Sequence, residues 1–188
     1  MCIRDRGAGY GRLAYVFLKA TPCRYIIFDI PPTLHIAEWY LSSLFPEKRI
    51  FKFRHFNHFE EIATELATAD IAFFTPNQLA MFEEDFFDVF ITISSLHEMT
   101  RTQIAHFIKL MSVTTKRILY IKQYWEYINP YDNLCISNSE YILPSKFHVV
   151  QKQQDILNSL FFEMLAVSDT VEPNISILLS NYNHTKYL

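Results

Sequence analysis

The chain has 188 residues, 50% of them hydrophobic and 20% charged, with 17 Phe, 11 Tyr and 2 Trp and a formal net charge of −3. That aromatic load excludes a disordered chain, the length suits one globular domain, and the slightly acidic balance argues against a nucleic-acid binder, which needs a basic face. No run of about 18 apolar residues occurs, so no membrane span is predicted. Three cysteines (Cys2, Cys23 and Cys135) without C-x-x-C spacing predict a reduced, intracellular and so cytoplasmic protein.

Residues 1–6 (MCIRDR) lack the apolar segment of a signal peptide. They resemble translated adapter sequence and are expected to be a non-native start, leaving the domain at 7–188 with its first strand incomplete. The only glycines follow at once, at Gly7, Gly9 and Gly11, although an average composition would spread about 13 over a chain of this size. A chain that otherwise avoids glycine has placed all of it in one loop, which suggests a backbone turn that a ligand approaches closely.

Residues 11–20 carry apolar positions at helical spacing and stop before Pro22. Short continuous apolar runs recur at 25–28, 71–74, 89–93, 118–121 and 175–179, as expected of strands buried on both faces of a mainly parallel sheet. Helical segments are expected between them at about 33–45, 58–68 and 101–112, with Leu34, Ala37, Leu41 and Leu44 forming an inward stripe. Residues 50–55 alternate apolar with basic and suggest an extra half-exposed strand. The stretch 125–147 is expected to be a loop, 149–159 a helix, and 161–167 with 174–182 an antiparallel hairpin. Strands alternating with helices make this an α/β chain with a Rossmann-like, doubly wound sheet ending in that hairpin.

The loop G-A-G-Y-G-R opens a helix, so its backbone N–H groups face the crevice. A dinucleotide site places its third glycine one position later, where this chain has Arg12. That shift disfavours NAD and FAD and suits S-adenosylmethionine, whose amino-acid tail carries no phosphate; a plain strand-to-helix turn remains the alternative. Asp29 ends the next apolar run, where an acid can accept from both ribose hydroxyls. It can equally cap the helix that begins at Pro31-Pro32.

With F-D-I-P-P, T-P-N-Q-L (75–79) and S-S-L-H-E-M (94–99), the glycine loop resembles the bacterial sugar O-methyltransferase family over residues 7–182. These are class I, S-adenosylmethionine-dependent enzymes. The resemblance implies a seven-stranded sheet whose last hairpin sets one strand antiparallel, and an acidic residue ahead of the glycines, near where Asp5 sits. It implies cofactor contacts at Gly7, Gly9, Gly11, Arg12, Asp29, Gln78 and Ser94, with Asn77 or, as the better candidate, Gln78 on the adenine; turn chemistry after Pro76 is an equal alternative for Asn77.

Methyl transfer to a hydroxyl requires alignment of the acceptor and removal of its proton. His97 is the candidate base, since a histidine can be neutral near pH 7, and a buried structural histidine is the alternative. Glu98 can orient it, bind a sugar hydroxyl or favour the next helix start. Tyr124, Trp125, Tyr127 and Tyr131 can stack on a sugar ring or cover the core edge. His55 and His58 have ligand spacing but no third donor, so no metal is expected. Small-molecule or saccharide acceptors fit this reading. A nicotinamide-dependent oxidoreductase and a non-catalytic methyltransferase-like fragment are the alternatives.

Overall fold

The computed structural model describes residues 1–171. Its elements are β1 (Cys2–Arg6), α1 (Arg12–Ala20), β2 (Arg24–Phe28), α2 (Pro31–Leu44), β3 (Ile50–Phe51), α3 (Glu60–Thr68), β4 (Ile71–Phe74), β5 (Phe87–Ile93), α4 (Arg101–Thr114), β6 (Thr115–Tyr124), β7 (Glu126–Ile128), β8 (Cys135–Ser137), β9 (Phe147–Gln154) and β10 (Phe161–Ser168). Eight strands form one sheet in the order β3-β4-β2-β1-β5-β6-β10-β9. The first six run parallel, and β10 pairs antiparallel with both β6 and β9.

The period-2 alternation of each strand feeds two cores. On one face Tyr25, Ile27, Phe73 and Ile91 meet Ala14 and Leu18 of α1 and Leu34, Ala37 and Leu41 of α2. On the other, Ile26, Phe28, Phe74, Phe90 and Leu119 meet Ile62 and Leu66 of α3 and Ile104, Ile108 and Met111 of α4. Continuous apolar strands are what a sheet covered on both sides requires. Among the described residues no helix is long and apolar enough to cross a membrane.

Several expectations change. The main sheet has eight strands where the resemblance implied seven. Residues 1–6, expected to stand outside the domain, supply the first strand, short but present: Cys2–Arg6 lies buried between β2 and β5. The 50–55 strand shrinks to Ile50–Phe51. The helix expected at 149–159 is instead β9, because pairing with β10 overrides the helical preference of its glutamines and lysine. Among the described residues β9 is an edge strand, and it carries Lys152 and several Gln, residues that discourage further pairing. The closing hairpin is therefore β9–β10. The runs expected at 174–182 and 175–179 lie outside the described residues. Within the expected 125–147 loop, β7 and β8 form a small antiparallel ribbon.

Candidate functional site

The glycine loop joins β1 to α1 at the carboxyl edge of the sheet. All three glycines are left-handed, with φ of 71°, 57° and 91° at Gly7, Gly9 and Gly11, a region that side chains disfavour. Two are also required by packing. A Cβ on Gly7 would lie 2.3 Å from Ser95 Cβ, and one on Gly11 2.9 Å from Leu41 Cδ1. A Cβ on Gly9 would meet nothing within 4 Å, so Gly9 faces open space.

Each glycine N–H is used inside the protein. Gly7 donates to the Phe28 carbonyl at 3.0 Å and Gly11 to the Ala8 carbonyl at 3.2 Å. Gly9 donates to Asp29 Oδ2 at 2.9 Å, while Asp29 Oδ1 accepts from Ile30 N at 2.7 Å. Ile30, not Asp29, is the N-cap residue of α2. Asp29 thus clasps the loop to the start of α2.

A cavity lies on each side of that clasp. One of about 440 Å³ is lined by Gly7, Gly9, Arg12 and Ser94, with Asp5 at its base. The other, about 670 Å³, is lined by Ile30, Phe53, His55, Thr75, Asn77 and His106, among others. Gly9 lines the first and Ile30 the second, so both N–H partners of Asp29 belong to cavity walls, while Asp29 and His97 themselves line neither.

Gln78 lines neither. Its Oε1 accepts from Thr75 N at 2.9 Å and from Thr75 Oγ1 at 3.1 Å, and its Nε2 donates to the Arg54 carbonyl at 2.9 Å. The amide therefore fixes a turn of 3-10 helix over Pro76–Met81, and exposed Asn77 is the residue that faces the cavity. Gly11 also lines neither cavity; its place is the turn into α1.

The turn after β5 is fixed from below. Ser94 has φ 51° and donates its N–H to the Lys122 carbonyl at 2.8 Å. Arg6 reaches under the turn, donating to Ser95 Oγ at 3.3 Å and to Met99 Sδ at 3.4 Å, with its guanidinium 3.9 Å from the Phe107 ring centre. Burial lowers the Arg6 pKa to about 10.

His97 is 4% exposed. Its Nδ1 lies 3.0 Å from Gln123 Oε1, and its ring centre is 4.8 Å from that of Tyr124 and 4.4 Å from that of Tyr127, both edge-on. Glu98 is exposed and makes no hydrogen bond to His97, so the histidine is oriented by Gln123 and not by the neighbouring acid. Trp125 is half-exposed and Tyr131 is 96% exposed, apart from this cluster.

No family model matches the chain, and no curated protein matches it. Solved structures do. Over 89% of this chain, magnesium protoporphyrin IX methyltransferase from Synechocystis, solved with S-adenosylmethionine bound, superposes with a TM-score of 0.56 at 15% identity, covering 69% of that protein. An S-adenosylmethionine-dependent methyltransferase from Leishmania major gives 0.60 at 12% identity, again over 89% of this chain and 64% of that one. Mitomycin 7-O-methyltransferase gives 0.59 at 12% identity over 89% of this chain and 48% of its own length. The fold is that of the class I methyltransferases.

In such a methyltransferase sheet, ligands lie across the carboxyl ends of the parallel strands. Here those ends bring together Gly7 after β1, Asp29 after β2, Asn77 after β4, Ser94 and His97 after β5, and Gln123 near the end of β6. Gln123 is the residue that sequence reasoning passes over. The signal was a polar side chain two and four places beyond the core residues Ile121 and Leu119, hence on their buried face. His55 lines the larger cavity, while the His58 N–H is bonded to Glu61. Among the described residues no group of three His, Cys, Asp or Glu converges as metal ligands would.

Proposed function

We propose that this chain is an S-adenosylmethionine-dependent O-methyltransferase acting on a saccharide hydroxyl. The observation that carries the cofactor is the state of the glycine loop. A dinucleotide site aims loop N–H groups at a pyrophosphate. In this loop the three glycine N–H groups are already bonded, one of them to a carboxylate. That carboxylate, Asp29 after β2, keeps lone pairs free for a neutral ribose diol. The fit extends to the steric test, since the space in front of Gly9 is open.

In this reading Asp29 holds the ribose hydroxyls, Ile30 and Asn77 flank the adenine, and Gly7, Gly9, Arg12 and Ser94 bound the amino-acid end. When bound, S-adenosylmethionine supplies an electrophilic methyl group on a sulfonium. The chain's own work is to seat the acceptor and take its proton. His97 is the base that receives it, held against Gln123. Exposed Glu98 accepts from a second acceptor hydroxyl, and the Tyr124 and Tyr127 rings give the acceptor an apolar face to lie on.

The saccharide rests on the resemblance of residues 75–79 and 94–99 to the sugar O-methyltransferases, and mitomycin 7-O-methyltransferase supports oxygen as the acceptor atom. The test is transfer of labelled methyl from S-adenosylmethionine to a panel of saccharides and phenols. Label in saccharides, abolished in His97→Ala, supports the proposal; label in phenols alone replaces the acceptor class, and no transfer to any oxygen removes it.

A further inference from the structure

The arrangement around Gln123 says which nitrogen of His97 carries the proton. Gln123 is fully buried near the end of β6. Its Oε1 lies 3.1 Å from Ser95 N, 3.2 Å from Leu96 N and 3.0 Å from His97 Nδ1. Both backbone groups are obligate donors, so the amide atom facing them must be the oxygen. Turning the amide over would set its NH2 group against two N–H groups. An oxygen can only accept, and the third partner, His97 Nδ1, must therefore donate. In the neutral ring that leaves the lone pair on Nε2.

The other half of the amide agrees. Gln123 Nε2 is buried and has no hydrogen-bond partner among the described residues. A buried donor left unmatched is costly, so the value of a glutamine here lies in its oxygen, which serves three donors at once. Two of them close the turn over Leu96–Glu98 and the third belongs to His97.

We infer that Gln123 is the positioning residue of the site, selecting the Nδ1–H tautomer of His97 and so leaving Nε2 as the only ring atom able to take a proton from an acceptor hydroxyl. This rests on the reading of His97 as the base. It adds that the base is a single nitrogen, fixed before any ligand arrives. Acceptors are then confined to hydroxyls that reach Nε2, beside the Tyr124 and Tyr127 rings.

The test is ¹⁵N NMR of the full chain labelled at histidine, without cofactor, at alkaline pH where the neutral ring is observed. The chain has seven histidines, and loss of one ring pair in His97→Asn assigns the signal. The expected result is a pyrrole-type Nδ1 and a pyridine-type Nε2 in the wild type. In Gln123→Met, which keeps the volume and removes the oxygen, that single-tautomer signature is lost. A pyrrole-type Nε2 in the wild type overturns the inference, as does an unchanged tautomer in folded Gln123→Met. Where Gln123→Met does not fold, the wild-type spectrum alone decides. Because no cofactor is present, a wrong tautomer leaves the methyltransferase reading standing. Absence of S-adenosylmethionine binding alongside the expected tautomer removes that reading and with it the base role of Nε2, and leaves the selection of the tautomer by Gln123 standing.

Discussion

Asp29 Oδ2 accepts the Gly9 N–H at 2.9 Å, joining the strand after which the acid falls to the loop whose middle glycine faces open space. This bond separates the roles of the glycines. Gly7→Ala adds a methyl 2.3 Å from Ser95 Cβ at a left-handed φ, so it combines overpacking with backbone strain and is expected to cost about 3 kcal/mol or more. Gly9→Ala meets no atom and costs about 1 kcal/mol of strain. Its methyl enters the crevice, so it loses S-adenosylmethionine affinity while staying folded. Urea denaturation beside a cofactor titration separates the two.

Arg4 is a weak point of the core. Its side chain is fully buried on the face of Phe28 and Phe90, with the guanidinium 4.3 and 3.6 Å from their ring centres. None of its three nitrogens has a hydrogen-bond partner among the described residues, and burial pushes its pKa well below the usual value. Ring contacts return about 2 kcal/mol for a desolvated cation, less than the several kcal/mol lost on burying an unpaired charge. Arg4→Met is expected to stabilise the fold by about 1–4 kcal/mol, read as a higher urea midpoint with an unchanged slope.

Asp5 makes stability depend on pH. It is buried and accepts from the Tyr25 hydroxyl at 2.9 Å. Burial raises its pKa from 3.8 to about 7, although the Tyr25 hydrogen bond opposes the shift. Between those values the folded chain keeps a proton that the unfolded chain releases. The stability from Asp5 is therefore whole below pH 4 and declines as the pH rises to about 7. Relative to Asp5→Asn, the wild type should lose up to about 4 kcal/mol across that window. Urea unfolding at pH 4, 5.5 and 7 checks this, and a constant difference contradicts it.

Adjacent polar residues after β4 are expected to behave oppositely. Gln78→Ala strands the buried Thr75 N–H and costs about 1–3 kcal/mol of stability, with the cofactor affinity of the folded protein unchanged. Asn77→Ala leaves stability within about 0.5 kcal/mol and weakens cofactor binding severalfold. Melting curves and titrations on both variants would show the reversal.

Periodicity exposed the central strands because β2, β4, β5 and β6 are buried on both sides and so read as unbroken apolar runs. It failed where tertiary pairing decides. Residues 1–6 read as adapter-like sequence, yet the sheet places Arg4, Asp5 and Arg6 of β1 between two strands. In β9, glutamines and a lysine suit a helix until β10 supplies hydrogen-bond partners. The glycine loop and Asp29 were legible because left-handed turns and strand-tip acids leave marks in sequence. Which way Gln78 turns, and which residue orients His97, were not, since both depend on partners distant in the chain: Arg54 lies 24 residues from Gln78 and Gln123 lies 26 from His97.

The most direct measurement is calorimetric titration of the chain and of Asp29→Ala with S-adenosylmethionine and, separately, with NADH. Micromolar binding of S-adenosylmethionine is expected, at least tenfold weaker in Asp29→Ala for the loss of about 1.5–3 kcal/mol of charge-assisted hydrogen bonding, with no binding of NADH. Binding of NADH, or S-adenosylmethionine affinity indifferent to Asp29, would contradict this cofactor assignment.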